Sequence, residues 1–199
     1  KTTLIYELAK ELESVGKRVI VTTTTHMLRP KNEWELLHTV GVPCEEEPEK
    51  IRGLSEEEYR KLKTQCDVLL VEADGAKRKP LKVPAEHEPV IPEDTDMVIG
   101  IAGASAIGRT IKAGCHRGEL VGELLGKKLS EILTEEDVMT ILKSKAGQKK
   151  HVKQKYRMVI GQADLLTQEQ VEKFKKEQGI CLYSRKGGAD TNGENIGIS

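Results

Sequence analysis

Apolar residues at Leu4, Ile5, Leu8, Leu12 and Val15 recur at helical spacing from Thr2 onward, and Gly16 follows as a stop signal. A β-branched run from Arg18 to Thr25 then predicts a buried strand. Residues 29–31 are polar, and Asn32 to Val40 carries a short helical pattern. The stretch from Pro43 to Arg60 is acidic and reads as a solvated face, with Ser55 and Glu58 at capping-box spacing for a helix reaching Thr64. Asp67 to Gly75, Asp67-Val-Leu-Leu-Val-Glu-Ala-Asp-Gly75, has the apolar character of a central parallel strand. Residues 77–92 contain four prolines and little periodicity, which predicts a long loop or edge segment.

Further strands are predicted at 97–102, 157–160 and 180–183. Helices are predicted from about Gly118 to Leu125, from a cap at Thr134 to Lys143, and from Thr167 to Gln178. Helical stretches alternating with β-branched runs are the signature of β-α-β units. The fold class is therefore α/β: a three-layer, mostly parallel sheet with helices on both faces. Residues 1–186 are expected to form a single domain, followed by a polar, Gly-rich tail at 187–199.

The charge balance narrows the function classes. The 199 residues carry 32 Lys and Arg against 32 Asp and Glu, so no net field draws the chain to nucleic acid or to an anionic membrane. No apolar run approaches the ~18 residues of a membrane helix; the nearest, 98–108, is interrupted by glycine and serine. Cys44, Cys66, Cys115 and Cys181 are widely spaced, which disfavours both a zinc knuckle and a disulfide framework and fits a reducing, cytoplasmic location.

The chemistry is concentrated at strand and helix ends. Lys1-Thr2-Thr3 before a helix looks like the last residues of G-x-x-x-x-G-K-[ST], whose glycines would lie upstream. In such a loop Lys1 reaches the β- and γ-phosphates, the Thr2 hydroxyl ligates Mg²⁺, and Thr3 touches the α-phosphate. The strand ending in Glu72 and Asp74 supplies acids at the edge where nucleotides bind, one for the metal shell and one to orient water. Among Thr22 to Thr25, Thr24 and Thr25 lie nearest the strand's end and are the better candidates to meet Mg²⁺ or the γ-phosphate.

Gly161-Gln162-Ala163-Asp164 is similar to the N-K-x-D base-reading motif, in which an aspartate accepts two hydrogen bonds from guanine. Gly161 and Gln162 depart from it, so GTP and ATP both remain open. Ser184-Arg185-Lys186 stands where a second base-contacting loop is found in GTPases. Lys77, Arg78, Lys79 and Lys82 read either as a solvated loop or as a site for a second anionic substrate. The basic run 143–157 lacks the aromatics needed for stacking on single strands and reads as a mobile loop. Cys115 before His116 reads as a small buried thiol rather than a metal ligand or nucleophile.

Lys-Thr-Thr-Leu at the start, Thr-Thr-Thr-Thr-His-Met at 22–27, Val-Glu-Ala-Asp-Gly-Ala at 71–76, the stretch 79–92 and Cys-His-Arg at 115–117 together resemble the YqeC-type selenium-dependent hydroxylase accessory proteins. The resemblance implies a P-loop NTPase-like fold and a role in maturing a selenium- or molybdenum-containing cofactor for a molybdenum hydroxylase. The leading expectation is a Mg²⁺-dependent NTPase with Lys1, Glu72 and Asp74 catalytic, and with Lys1, Thr2, Thr3, Thr24, Thr25 and Asp164 binding nucleotide. Its partners would be a nucleoside triphosphate and the hydroxylase or its cofactor. The alternatives are a small-molecule kinase and a nucleotide-sensing carrier or docking protein with negligible turnover.

Overall fold

The computed structural model describes residues 2–184, and the chain divides into two compact units, with the boundary after Gly75. Lys1, Arg185, Lys186 and the tail at 187–199 lie outside the described residues.

The first unit opens with α1 (Thr2–Ser14), whose Leu4, Tyr6, Leu8 and Ala9 face inward at helical spacing. Gly16 takes φ +82°, the left-handed conformation that lets the chain leave the helix without a Cβ clash. Strands β1 (Val19–Thr23) and β5 (Val68–Glu72) pair in parallel, Val19 opposite Val68 and Thr23 opposite Glu72. Strand β1 is almost wholly buried, whereas β5 is half-buried throughout. The β1 edge away from β5 is met by Val40, whose amide donates to the Val21 carbonyl.

Between these parallel strands lie β2 (His26–Leu28), α2 (Glu33–His38), β3 (Val42–Pro43), β4 (Lys50–Arg52) and α3 (Glu56–Lys63). Both helices start as the sequence predicts: Asn32 caps α2, and Ser55 with Glu58 forms the reciprocal capping box of α3. The acids of the 43–60 stretch are mostly exposed, as a solvated face requires, and the same stretch also supplies strands. It folds into an antiparallel sheet, β2-β4-β3, in which Ile51 is buried with Met27 while the charged neighbours Lys50 and Arg52 take the alternate face. A single apolar residue among charges gave too little alternation to announce the strand. The core of this unit gathers Tyr6, Ala9, Val19, Val21, Met27 and Ile51.

The second unit is built on the parallel sheet β10-β9-β7, formed by β7 (Met97–Gly103), β9 (Lys155–Gly161) and β10 (Ile180–Tyr183). A two-stranded parallel pair joins β6 (Leu81–Lys82) to β8 (Cys115–His116). Helices α4 (Ile111–Gly114), α5 (Gly118–Leu125), α6 (Glu135–Lys143) and α7 (Gln168–Lys175) complete it, with reciprocal capping boxes at Thr134 and Thr167. The α/β class with parallel strand pairing is thus what the residues form.

The basic run around 145–154 is tied down rather than loose. Lys150 Nζ donates to the Ala85 carbonyl at 3.0 Å, and Gln148 Nε2 donates to the carbonyls of Ile101 and Lys82. The long residues of this run satisfy main-chain acceptors of the proline-rich segment, which has no ladder of its own beyond β6.

Candidate functional site

Where α1 begins, β1 ends and β5 ends, the first unit assembles oxygen donors from three places in the chain. The Thr2 hydroxyl donates to Glu72 Oε2 at 3.2 Å, joining the first turn of α1 to the last residue of β5. The Thr23 hydroxyl donates to the Glu72 main-chain carbonyl at 2.8 Å, and the Thr24 amide donates to the same carbonyl at 3.2 Å. Thr23 Oγ1 also accepts from the Thr25 amide at 3.0 Å. One hydroxyl therefore folds the end of the threonine run over the end of β5.

Gly53 keeps this corner tight. The Gly53 amide donates to the Thr25 carbonyl at 3.1 Å, and a Cβ at Gly53 would stand 2.8 Å from the Thr23 carbonyl oxygen. Gly75 lies beside the Glu72 side chain, 3.8 Å from Glu72 Oε1 to the position a Cβ would take. Tyr6 packs beneath: burial raises its pKa, the hydrogen bond with Thr39 opposes this, and the charges of Glu35 and Glu72 add to the rise.

The expected residues distribute unevenly. Thr2 and Glu72 meet directly, Thr24 joins them through its main-chain amide, and Thr25 joins through its amide and through a 3.4 Å hydrogen bond between its hydroxyl and that of Thr23. Strand β5 stops at Glu72, so Asp74 stands two residues past its end and the alternation of an extended chain no longer fixes its direction relative to Glu72. Thr3 is exposed on α1. Lys1 lies outside the described residues.

Asp164 belongs to the second unit, on the turn after β9, where it accepts from the Ser184 hydroxyl at 2.9 Å. Gln162, in the left-handed conformation, accepts from Ser105 Oγ at 2.7 Å. The turns following β7, β9 and β10 therefore meet at the carboxyl edge of the parallel sheet, where α/β folds hold ligands.

Sequence reasoning passed over Thr23 and Gly53. Thr23 was hidden inside a β-branched run that any strand would favour, and Gly53 lies thirty residues from the backbone it touches. It also placed Lys82 in a solvated or substrate-binding cluster. The structure corrects this: Lys82 is 1% exposed and pairs with Glu88 Oε2 at 2.6 Å, while Arg117 holds Glu88 Oε1 at 3.0 Å. Burial pushes the Glu88 carboxyl up, but Lys82, the Ala85 amide and Arg117 outweigh it and hold the pKa below the usual range. Beside them, burial pushes the Cys115 thiol up to about 11, only slightly opposed by Lys79, which makes it an inert buried thiol.

Comparison with known proteins agrees with these motifs. The family profile described as "YqeC protein" matches residues 1–119. A protein of Escherichia coli (strain K12) named "Uncharacterized protein YqeC" is 31% identical over 179 residues, covering 80% of this chain and 70% of that protein. The chain belongs to the YqeC family. The family match spans the whole first unit and reaches through the Lys82, Glu88 and Arg117 network of the second. No solved structure matches this YqeC-family chain. Among the described residues, no helix is long and apolar enough to cross a membrane.

Proposed function

We propose that this protein is a Mg²⁺-dependent nucleoside-triphosphate-binding protein that hydrolyses its nucleotide, with the site built on Thr2 and Glu72. The observation carrying this reading is the 3.2 Å bond between the Thr2 hydroxyl and the Glu72 carboxylate, which brings a helix-start hydroxyl and a strand-end acid together. A hydroxyl and a carboxylate are the hard oxygen donors that suit Mg²⁺ and the waters it retains, so the residues present fit that ion. Bound there, Mg²⁺ would neutralise charge developing on the phosphates.

The chain's own groups supply the rest. The α1 N-terminus offers main-chain amides and a dipole to the phosphates, and Lys1 adds a cation. Glu72 orients the Thr2 hydroxyl. Asp74 is the proposed acid for positioning the attacking water, and Thr24 and Thr25 are the proposed contacts to the γ-phosphate side. The resemblance to selenium-dependent hydroxylase accessory proteins adds the purpose: turnover would assist maturation or insertion of a selenium- or molybdenum-containing cofactor for a molybdenum hydroxylase.

The test is titration of GTP and ATP with and without Mg²⁺, followed by assay of free phosphate, on the wild type and on Thr2→Ala and Glu72→Gln. Mg²⁺-dependent binding weakened in both variants supports the reading. Binding that ignores both substitutions rejects it.

A further inference from the structure

The antiparallel sheet β2-β4-β3 carries a side-chain cluster that the nucleotide reading does not use. We infer that His26, Cys44 and Glu47 form a binding site for one thiophilic divalent cation of the zinc class. One ligand atom from each of the three, a ring nitrogen, a sulfur and a carboxylate oxygen, lies within 4.8 Å of the other two.

The sheet's register explains why His26 converges with Cys44 and Glu47, eighteen and twenty-one positions further along the chain. His26 stands opposite Arg52 on β4, and Pro43 stands opposite Ile51. Ile51 and Met27 are buried on one face, so His26, one residue from Met27, and Cys44, one residue from Pro43, fall on the other face with Lys50 and Arg52. The Cys44 amide donates to the Lys50 carbonyl at 3.2 Å, which continues the pairing one step past β3. The turn closed by the Lys50 amide on the Glu47 carbonyl, at 2.8 Å, folds Glu47 back over the same face. Three segments, β2, the end of β3 and the turn before β4, thus deliver one ligand each.

The donor set decides the class of ion. Mg²⁺ and Ca²⁺ take oxygen alone, whereas a thiolate with an imidazole selects a borderline or soft transition metal, and three protein ligands leave a fourth position for water. Lys50 is part of the same chemistry. It forms an ion pair with the Glu47 carboxylate. Lys50 therefore competes with a cation for that anionic donor.

The location gives the site a role. His26 directly follows Thr25, whose amide is held by Thr23 Oγ1, itself bonded to the Glu72 carbonyl. A cation on His26 fastens the 42–52 excursion to the threonine run and stabilises the first unit by mass action.

The test uses the full chain, stripped of metal by a chelator and kept reduced, with no nucleotide present, so that its outcome is separate from that of the nucleotide reading. Co²⁺ titration should give one equivalent with sulfur-to-metal charge-transfer absorption, displaced by Zn²⁺. Cys44→Ser should lose that absorption, His26→Ala and Glu47→Gln should bind more weakly, Cys66→Ser should bind as the wild type does, and Lys50→Met should bind more tightly. X-ray absorption of the wild-type Co²⁺ complex, which needs no variant, should find one sulfur among light-atom ligands. No thiolate absorption in the wild type, absorption retained in Cys44→Ser, unchanged affinity in His26→Ala, or a shell of light atoms only would each overturn the assignment.

Discussion

The hydroxyl of Thr2 and the carboxylate of Glu72, 70 residues apart in sequence, lie 3.2 Å apart, so the start of α1 and the end of β5 share one polar corner. A hydroxyl donating to a carboxylate is a charge-assisted contact, and it pre-positions both oxygens on one side of the β1–β5 pair.

If that corner binds the metal-nucleotide complex, Glu72→Gln keeps the shape of the side chain and removes its charge. Mg²⁺-dependent phosphate release should fall by about 10²-fold, in the range found when one preorganised electrostatic group is removed.

Gly53→Ala should destabilise the first unit by about 1–3 kcal/mol, because the new methyl meets main chain rather than a yielding side chain. The added Cβ would sit 2.8 Å from the Thr23 carbonyl oxygen and 3.0 Å from Thr24 Cα. Urea unfolding measures the loss. A midpoint equal to that of the wild type would show that the Thr23–Thr24 backbone yields freely, which would argue against a rigid corner.

At the other end of the same strand pair, Arg18 binds Asp67 through its amide and guanidinium, and these bonds hold the Asp67 pKa at about 2 against an ordinary 3.8. The folded-state value is depressed, so the unfolded chain takes up the proton first as pH falls. The stabilisation is therefore complete above about pH 4 and is lost as pH falls toward about 2. Urea midpoints of wild type and Asp67→Asn should differ near neutral pH and converge across that window. A gap that persists unchanged at the acid end would show that the ion pair is not its source.

Glu88→Ala should cost the second unit about 3–5 kcal/mol, since it leaves the buried Lys82 ammonium without its carboxylate. Lys82→Met combined with Glu88→Ala should cost less than Glu88→Ala alone, because no buried cation is then left uncompensated. Calorimetry or denaturant unfolding of the two variants decides this, and a double variant worse than the single one would contradict it.

The elements legible in the sequence are those with local causes. Helix α1, the capping box of α3, the Thr134 and Thr167 starts of α6 and α7 and the strands β1, β5, β7, β9 and β10 follow from periodicity, β-branched runs and cap-residue spacing over a few residues. The short strands β2, β3, β4, β6 and β8, of two or three residues each, were not legible. Such strands are too brief to show alternation and exist only because a partner strand completes their hydrogen bonds. At the candidate site, Thr2 and Glu72 stood out by residue type and by their places at a helix start and a strand end. Thr23 did not, because its importance lies in a bond to a carbonyl 49 residues away.

By itself, then, the sequence determined which stretches are helix or long strand, that the chain is an α/β protein, and the motifs that carry its family membership. These are properties of neighbours, written at periods of two to four residues. Tertiary structure alone decided that Lys82 is a buried ion-pair partner rather than a surface charge, that Gly53 presses on the threonine run, and that His26, Cys44 and Glu47 share one face. Each of these depends on burial or on contact between distant segments. Residue type sets what a side chain can do, and only packing sets what it meets and how much water it keeps.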